Sequence, residues 1–202
     1  MSKFMTPRLQ MPATPARLDR RQLIRAAGAT TLSAAAIAVL GGCQSMANAT
    51  MASAGDVETL NVALGLEHEA INAYQLGAES GLLQKPVLAV AVQFQSHHKA
   101  HRDALVAAIR QMGGQPVAER SLQDYAAALN AGSLKSQADV LMLAAGLEKG
   151  AANAYLGVIP AFADKTLAQV AGRLAADETM HWTALASALG EALPEKALTF
   201  GA

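Results

Sequence analysis

The sequence predicts an all-α fold, a four-helix bundle with a long crossover between its second and third helices. Residues 65–74 (GLEHEAINAY) return 81 positions later as residues 146–155 (GLEKGAANAY), and a His-bearing segment follows each copy, at residues 98–105 and 178–185. Aromatic residues make up only 4% of the chain, while Ala, Leu and Val dominate, which favours close-packed helices over sheets. Two duplicated helical hairpins of this kind make a four-helix bundle.

Residues 1–42 are predicted to be an export signal and not part of the fold. Arg20 and Arg21, followed by an apolar run at residues 26–40, resemble a twin-arginine signal. Residues 40–43 (LGGC) resemble a lipobox, in which Cys43, the only cysteine, would be acylated. Cleavage after residues 47–49 (ANA) and retention of the segment as a membrane anchor are the alternatives. We therefore expect an exported protein, periplasmic or envelope-attached, held at a membrane surface by a lipid on Cys43.

The remaining 160 residues have the composition of one acidic globular domain. Ten basic and fifteen acidic residues lie after residue 42, a net charge of −5. This balance, without a basic stripe, argues against nucleic acid as a partner. The length suffices for a single well-buried core. We expect a flexible tether at residues 43–55, the bundle at residues 56–192 and a tail at residues 193–202.

The first hairpin is bounded by ordinary helix signals. The first helix is predicted from about residue 56 to Glu79, ended by Ser80 and Gly81. The second helix is predicted from Pro86, a favoured residue at a first helical position, to Met112 before two glycines.

The second hairpin follows a long connection at residues 113–138, which contains a predicted short helix at about residues 122–129. Ser136, with Asp139 three positions later, marks the start of the third long helix, which should end near Pro160. The fourth long helix should run from about residue 166 to Leu189, before Gly190. The tail from residue 194 is predicted to be extended.

Polar residues interrupt the apolar stripe that each long helix must bury. Spacings of three and four residues define these inward series: Leu60, Leu64, Glu67, Ile71 and Tyr74; Val87, Ala91, Phe94, His98, His101, Leu105, Ala108 and Met112; Leu141, Ala144, Glu148, Ala151 and Tyr155; and Leu167, Val170, Leu174, Glu178, His181, Leu185 and Leu189. Each helix therefore brings its polar group to the middle of the bundle.

Three carboxylates converging in a core require compensation, because desolvation and mutual repulsion both oppose their ionised forms. A metal cation removes both problems. Glu oxygens and His nitrogens are the ligands that helical bundles offer to iron or manganese, and the i, i+3 spacing places Glu178 and His181 on one face. The alternative is a Glu and His network that shares protons without a metal.

These residues resemble the ferritin-like superfamily, specifically the exported bacterial ferritin-like domain proteins, over about residues 57–190. The resemblance implies a ferritin-like four-helix bundle that holds one or two iron or manganese ions. Its ligand pattern is matched at five positions: Glu67, His101, Glu148, Glu178 and His181. His98 stands where the pattern has a bridging carboxylate. It is either a ligand or an imidazole that hydrogen-bonds Glu178 or Glu148, and the second ion would be held weakly, be absent or be bound in another geometry.

Several neighbouring residues are interpreted more simply. Tyr74 and Tyr155 each lie seven residues after a Glu, so that each could fill the core, bond a carboxylate of the other repeat or relay electrons. His68, Glu69 and His97 are interpreted as solvated or as lying behind the ligands. Trp182 is expected to pack at a flank, and Met112, Met142 and Met180 in the core.

The function predicted from these residues is that of a non-haem iron or manganese protein that reacts with oxygen or peroxide, an oxidoreductase. The alternative is a non-catalytic helical-bundle lipoprotein of the envelope, which binds a partner or sequesters metal. A ferritin storage cage is less favoured, since a membrane tether fits a closed shell poorly. The substrate, the physiological metal and the oligomeric state are left open.

Overall fold

The computed structural model describes residues 52–201 of the chain. Within this range the regular elements are the helices α1 (Ala52–Glu79), α2 (Lys85–Gln111), α3 (Leu122–Ala128), α4 (Gln137–Val158) and α5 (Lys165–Leu189), with 3₁₀ turns at Ala131–Ser133 and Ile159–Ala161. No strand occurs in these residues. The predicted all-α class is therefore confirmed.

The predicted export signal and Cys43 lie outside the described residues, as does the predicted tether up to residue 51. The last part of that tether is helical, because α1 begins at Ala52 and not near residue 56. Alanine has the highest helix propensity, and the alanines at the start of α1 extend it toward the N-terminus. No helix in the described range is long and apolar enough to span a bilayer.

Capping side chains and a glycine set the ends of the later helices, and two of them, Ser136 and Gly190, lie at predicted positions. The Ser136 hydroxyl accepts the backbone N–H of Asp139 at the start of α4. Asp164 accepts the N–H of Thr166 in the same way at the start of α5. Gly190 ends α5 with a φ of 74°, a left-handed conformation that glycine adopts without steric cost.

The two hairpins pack α1 against α2 and α4 against α5, and α1 also packs against α4. The apolar core consists of two clusters. The first cluster is built around Leu64, Ile109 and Tyr155, and the second around Phe94, Leu141 and Trp182. On every long helix the predicted polar positions lie between the residues of these two clusters. The fold therefore places one polar layer between two apolar ones.

Most of the predicted inward positions are buried. The half-buried exceptions are Val87 and Met112 on α2, Ala144 and Ala151 on α4, and Val170 and Leu189 on α5. On α4 the buried alanines are Ala145 and Ala152, while Ala144 and Ala151 are only half-buried. Adjacent residues of a helix are 100° apart, so a stripe drawn at strict spacings can miss the centre of the buried face. Met142 and Met180 were wrongly expected in the core, since each is more than half exposed.

Hydrogen bonds from side chains of α1 hold the crossover between α2 and α4 against that helix. Asn61 accepts the backbone N–H of Val117 and donates to the carbonyl of Gln115. Asn72 donates to Glu119. His68 is buried beneath this segment, with Nε2 3.3 Å from the carbonyl oxygen of Val117. His68 is therefore neither solvated nor part of the polar layer.

The C-terminal tail contains no helix up to residue 201, as predicted, and it packs back on the bundle. The ring of Phe200 contacts that of Trp182 edge to face at a centroid distance of 5.1 Å. The backbone N–H of Gly201 donates to Asn153. Trp182 is thus buried between core and tail, where a flanking position was expected.

Candidate metal centre

All six residues predicted as metal ligands meet in the polar layer. Each of the six residues is between 0% and 9% exposed, which is unusual for carboxylates and imidazoles that have no compensating partner. The repeated sequence explains why they meet, since each hairpin places one Glu on its first helix and a pair of polar residues three apart on its second. The set is Glu67, His98, His101, Glu148, Glu178 and His181.

The six residues form two overlapping donor groups. In each group one ligand atom per residue lies within 4.8 Å of every other. The first donor group consists of Glu67, His98, His101 and Glu178. The second donor group consists of His98, Glu148, Glu178 and His181. Either group could hold a metal ion, and they share His98 and Glu178.

His98 lies between the two groups, at the position where the resemblance described above implies a bridging carboxylate. Its Nδ1 is 2.8 Å from Oε2 of Glu67, and its Nε2 is 3.2 Å from Oε1 of Glu148. Its Nε2 is also 3.8 Å from Oε2 of Glu178. A neutral imidazole has one free lone pair, whereas a carboxylate can offer an oxygen to each of two ions. His98 therefore joins the two groups without replacing the bridge.

The other two histidines each turn Nδ1 inward. Nδ1 of His101 lies 3.2 Å from Oε1 of Glu178 and 3.6 Å from Oε2 of Glu67. Nδ1 of His181 lies 3.1 Å from Oε2 of Glu178 and 3.4 Å from Oε2 of Glu148. Glu178 consequently faces one histidine from each hairpin.

Two atoms of this layer are buried without a hydrogen-bond partner: Nδ1 of His101 and Oε1 of Glu178. They lie 3.2 Å apart but do not form a well-aligned hydrogen bond. A buried polar atom without a partner is destabilising by about 1 to 3 kcal/mol. A cation bound by both atoms would remove that cost, so the donor set fits a metal ion.

Without a metal, the layer is held by charged histidines. Burial lowers the pKa of His98 and of His101, but hydrogen bonds and charges from the neighbouring carboxylates outweigh it and raise the values to about 10 and about 12. Burial raises the pKa of Glu67, yet the adjacent imidazoles of His101 and His98, the latter through a hydrogen bond, lower it to about 2. Protons on the imidazoles therefore supply the positive charge that a bound metal cation would otherwise supply.

Two tyrosines connect the hairpins across the layer. The hydroxyl of Tyr74 donates to Oε1 of Glu148, and that of Tyr155 donates to Oε1 of Glu67. Burial, together with the nearby carboxylate charges, raises the pKa of both phenols, so both remain protonated donors. Each tyrosine thus fills the core and bonds a carboxylate of the other repeat, and two of its predicted roles coincide.

The outward nitrogens of His101 and His181 have different partners. Nε2 of His101 lies 3.2 Å from Oδ2 of Asp177, which is itself partly exposed. Nε2 of His181 lies 2.9 Å from Nδ1 of His97. A partner on the outer nitrogen fixes the orientation of an imidazole and its tautomer. One inward histidine is therefore oriented by a carboxylate and the other by an imidazole.

The sequence interpretation did not single out Asp177. The signal for it was present, because His97 and Asp177 are 80 positions apart and each immediately precedes a residue of the polar layer. Each of them contacts the inward histidine of the opposite hairpin. Glu69 lies outside both donor groups.

Comparisons with known proteins agree with this fold. The family model for the ferritin-like domain matches residues 55–191. A crystal structure of a conserved hypothetical protein, rv2844, from Mycobacterium tuberculosis is similar with a TM-score of 0.58 and 22% identity. That similarity covers 72% of this chain and 97% of the other, and at this identity it supports the fold alone. None of the curated proteins matches the chain.

The match to the family model covers more than half of the chain, and the helical fold and the buried Glu and His layer agree with it. The chain belongs to the ferritin-like domain family.

Proposed function

We propose that this protein is an exported, metal-binding member of its family whose centre takes iron or manganese and reacts with oxygen or peroxide. The observation that carries the proposal is the convergence of three buried glutamates and three buried histidines in two donor groups. Such a mixed oxygen and nitrogen donor set suits iron and manganese. When bound, the metal would supply the one-electron chemistry by which oxygen or peroxide is reduced.

The protein's own side chains would hold the metal and control its surroundings. Glu67, His101 and Glu178 belong to the first donor group, while Glu148 and His181 complete the second. The apolar clusters on either side of the layer restrict water at the centre. The two tyrosine hydroxyls orient one carboxylate in each group, so that the donors are arranged before the ion arrives.

We further propose that one ion is bound more tightly than a second. His98 has one nitrogen beside each donor group, but in its neutral form only one of them can ligate a metal. The group that does not receive this nitrogen keeps three other donors. A single tight ion per chain, with weaker occupancy of the other group, follows from this arrangement.

The decisive experiment is metal loading of the full chain after removal of metal with a chelator. Fe²⁺ or Mn²⁺ is added without oxygen, unbound metal is removed, and the metal per chain is measured. We expect about one tightly bound ion per chain. Oxygen or peroxide is then supplied and its consumption is followed with an electrode.

The matched variants are Glu67→Gln and Glu69→Gln. Both remove one negative charge from the same helix, but only Glu67 belongs to a donor group. We expect Glu67→Gln to lose most of the bound metal and Glu69→Gln to retain it. No bound metal in the unsubstituted protein, or equal loss in both variants, would refute the proposed centre.

The same experiment separates the two functions that the sequence leaves open. Consumption of oxygen or peroxide that follows the bound metal supports the oxidoreductase. Tight binding without consumption refutes it and indicates a protein that sequesters metal at the envelope. The completely buried Glu178 and His181 are compatible with storage as well as with reaction, which is why consumption must be measured directly.

The envelope location is proposed from the leader alone. The twin-arginine pattern at Arg20 and Arg21 and the lipobox ending in Cys43 support export followed by lipidation. Membrane and soluble fractions of the producing cell should both be assayed for the protein. We expect the unsubstituted chain in the membrane fraction and Cys43→Ala in the soluble periplasmic fraction. If Cys43→Ala remains membrane-bound, the lipid anchor is wrong.

A further inference from the structure

A cavity of about 250 Å³ lies in the half of the bundle formed by the second apolar cluster. It is bounded by the C-terminal half of α1, the N-terminal half of α2, the start of α4 and the end of α5, together with residues of the two connections. Val90, at 40% exposed, lines it and lies toward solvent. The cavity is separate from both donor groups, none of whose residues lines it.

The lining of this cavity is apolar apart from one residue. Tyr74 is the exception, and its hydroxyl is already bonded to Glu148. The remaining lining consists of Gly, Ala, Val, Leu and Pro side chains, among them Val87, Leu141 and Ala144. The cavity opens to solvent beside Val90 and Ala188, and water inside it would find few polar partners on the lining. An apolar cavity of about 150 Å³ in another protein binds benzene.

The internal duplication provides a built-in comparison. In the other half of the bundle, Val158 and Ile159 pack against the first apolar cluster. The residues 81 positions earlier are Gly77 and Ala78. Gly77 lines the cavity. The positions that hold two large apolar side chains in one half of the duplicated fold therefore hold Gly and Ala in the other, where Val140 packs so closely against Gly77 that a Cβ there would lie 2.9 Å from its Cγ1.

We propose that this cavity is a binding site for a small apolar molecule, a hydrocarbon ring or a short alkyl chain. Its volume is larger than that of a cavity of about 150 Å³ that binds one benzene molecule. Its lining offers no free side-chain partner to a charged or hydrogen-bonding ligand. The Tyr74 ring forms one wall of the site, and its hydroxyl reaches Glu148 on the other side. A bound molecule would thus be separated from the candidate metal centre by a single aromatic side chain.

Toluene and benzoate are matched probes for this site. They share a benzene ring, and the methyl group of one is replaced by a carboxylate in the other. Binding is measured by calorimetry on the full chain after removal of metal, so that the result does not depend on the proposed metal function. We expect one saturable toluene site per chain and benzoate binding at least about tenfold weaker, because a carboxylate would be buried without a partner.

Cavity-filling substitutions locate the site. Ala144→Leu places three further carbons in the cavity, whereas Ala138→Leu adds the same atoms to an exposed position at the start of the same helix. We expect Ala144→Leu to weaken toluene binding at least about tenfold and Ala138→Leu to leave it unchanged. Circular dichroism checks that both variants are folded. If Ala144→Leu does not fold, Ala188→Leu, which fills the cavity from α5, replaces it.

Contacts from bound toluene provide an independent check. Nuclear Overhauser effects are expected between its ring protons and those of Tyr74, and to the methyl groups of Val90. The proposal is wrong if the unsubstituted chain shows no saturable toluene binding, as would occur if the chain's own apolar leader filled the cavity. It is also wrong if benzoate binds as well as toluene, or if the folded cavity-filling variant binds toluene as tightly as the unsubstituted chain.

Discussion

Tyr155 donates its hydroxyl hydrogen to Oε1 of Glu67, a residue 88 positions earlier in the chain. Tyr74 makes the equivalent bond to Glu148, so that each hairpin orients a carboxylate of the other. These two bonds join the halves of the duplicated fold at its most polar level. They also engage Oε1 of each carboxylate, while Oε2 of Glu67 faces His98 and His101 and Oε2 of Glu148 faces His181.

Removal of one of these hydroxyls should weaken both the fold and the metal site. We expect Tyr155→Phe to lower the free energy of unfolding of the metal-free protein by about 1 to 3 kcal/mol, because a buried carboxylate oxygen loses its donor. The measurement is urea denaturation followed by circular dichroism.

Tyr125→Phe is the control for that experiment. Tyr125 is as buried as Tyr155, but its hydroxyl only accepts a long bond of 3.4 Å from the backbone N–H of Arg120. Removal of the Tyr125 hydroxyl should therefore lower the free energy of unfolding less than removal of the Tyr155 hydroxyl. Equal destabilisation by the two variants would contradict the role given to the Tyr155 bond.

Replacement of His98 by Glu tests what limits the number of ions. His98→Glu restores a carboxylate at the position between the two donor groups, where each of its oxygens could ligate a different ion. We expect the metal bound per chain to rise from about one to about two, as measured by elemental analysis after gel filtration. Unchanged stoichiometry would show that the imidazole is not what limits the second ion.

Asp177 should strengthen metal binding without touching the metal. Its carboxylate contacts the outer nitrogen of His101, and such partners typically contribute a factor of about 10 to 100 in metal affinity. Asp177→Asn should therefore weaken binding by about that factor, measured by competition with a chelating dye. Asp103→Asn is the control, since Asp103 pairs with Arg102 at the surface. If the two variants bind metal alike, Asp177 does not support the site.

Metal uptake should release protons near neutral pH. In the metal-free protein the raised pKa values of His98 and His101, about 10 and about 12, keep both imidazoles protonated at pH 7. A ligating imidazole must be neutral, so that metal displaces protons and the apparent affinity falls as the pH falls. Calorimetry in two buffers of different ionisation enthalpy measures the number released. Uptake without proton release would contradict the charged metal-free state.

The two halves of the bundle should respond differently to the same enlargement. Ala63 and Ala144 are 81 positions apart, but Ala63 is buried in the packed first cluster and Ala144 lines the cavity. Ala63→Leu should lower the free energy of unfolding by about 1 to 3 kcal/mol through overpacking. Ala144→Leu should change it little. Comparable losses in both variants would show that the cavity cannot accept added atoms.

Much of the fold and of the candidate site was predictable because the duplicated sequence repeats its chemistry at helical spacing. Glu67 and Glu148 stand out as charged residues on apolar stripes, and Glu178 with His181 follows the same rule on the last long helix. Helix starts at Ser136 and Asp164 depend on side chains that cap their own neighbours. Helical spacing and helix capping each depend on residues within a short stretch of chain, so they can be predicted from the sequence.

The pairings across the bundle were not predictable in the same way. The contact of Asp177 with His101, and that of His97 with His181, join residues about 80 positions apart on helices that meet only after folding. For His68 the sequence allows a solvated position or one behind the ligands, whereas in the structure the crossover covers it. Whether an imidazole beside the apolar stripe of a helix faces water or another side chain depends on what packs against it. The sequence of that one helix does not contain this information.

The sequence by itself determined the helices, their order and the polar residues that each would carry inward, because capping and amphipathic periodicity act within a few residues. Only the tertiary structure decided which nitrogen of each imidazole faces a carboxylate, and that an apolar cavity lies in the half of the bundle formed by the second cluster. Those features depend on distances between side chains on different helices, and packing sets these distances only once all four long helices are in place.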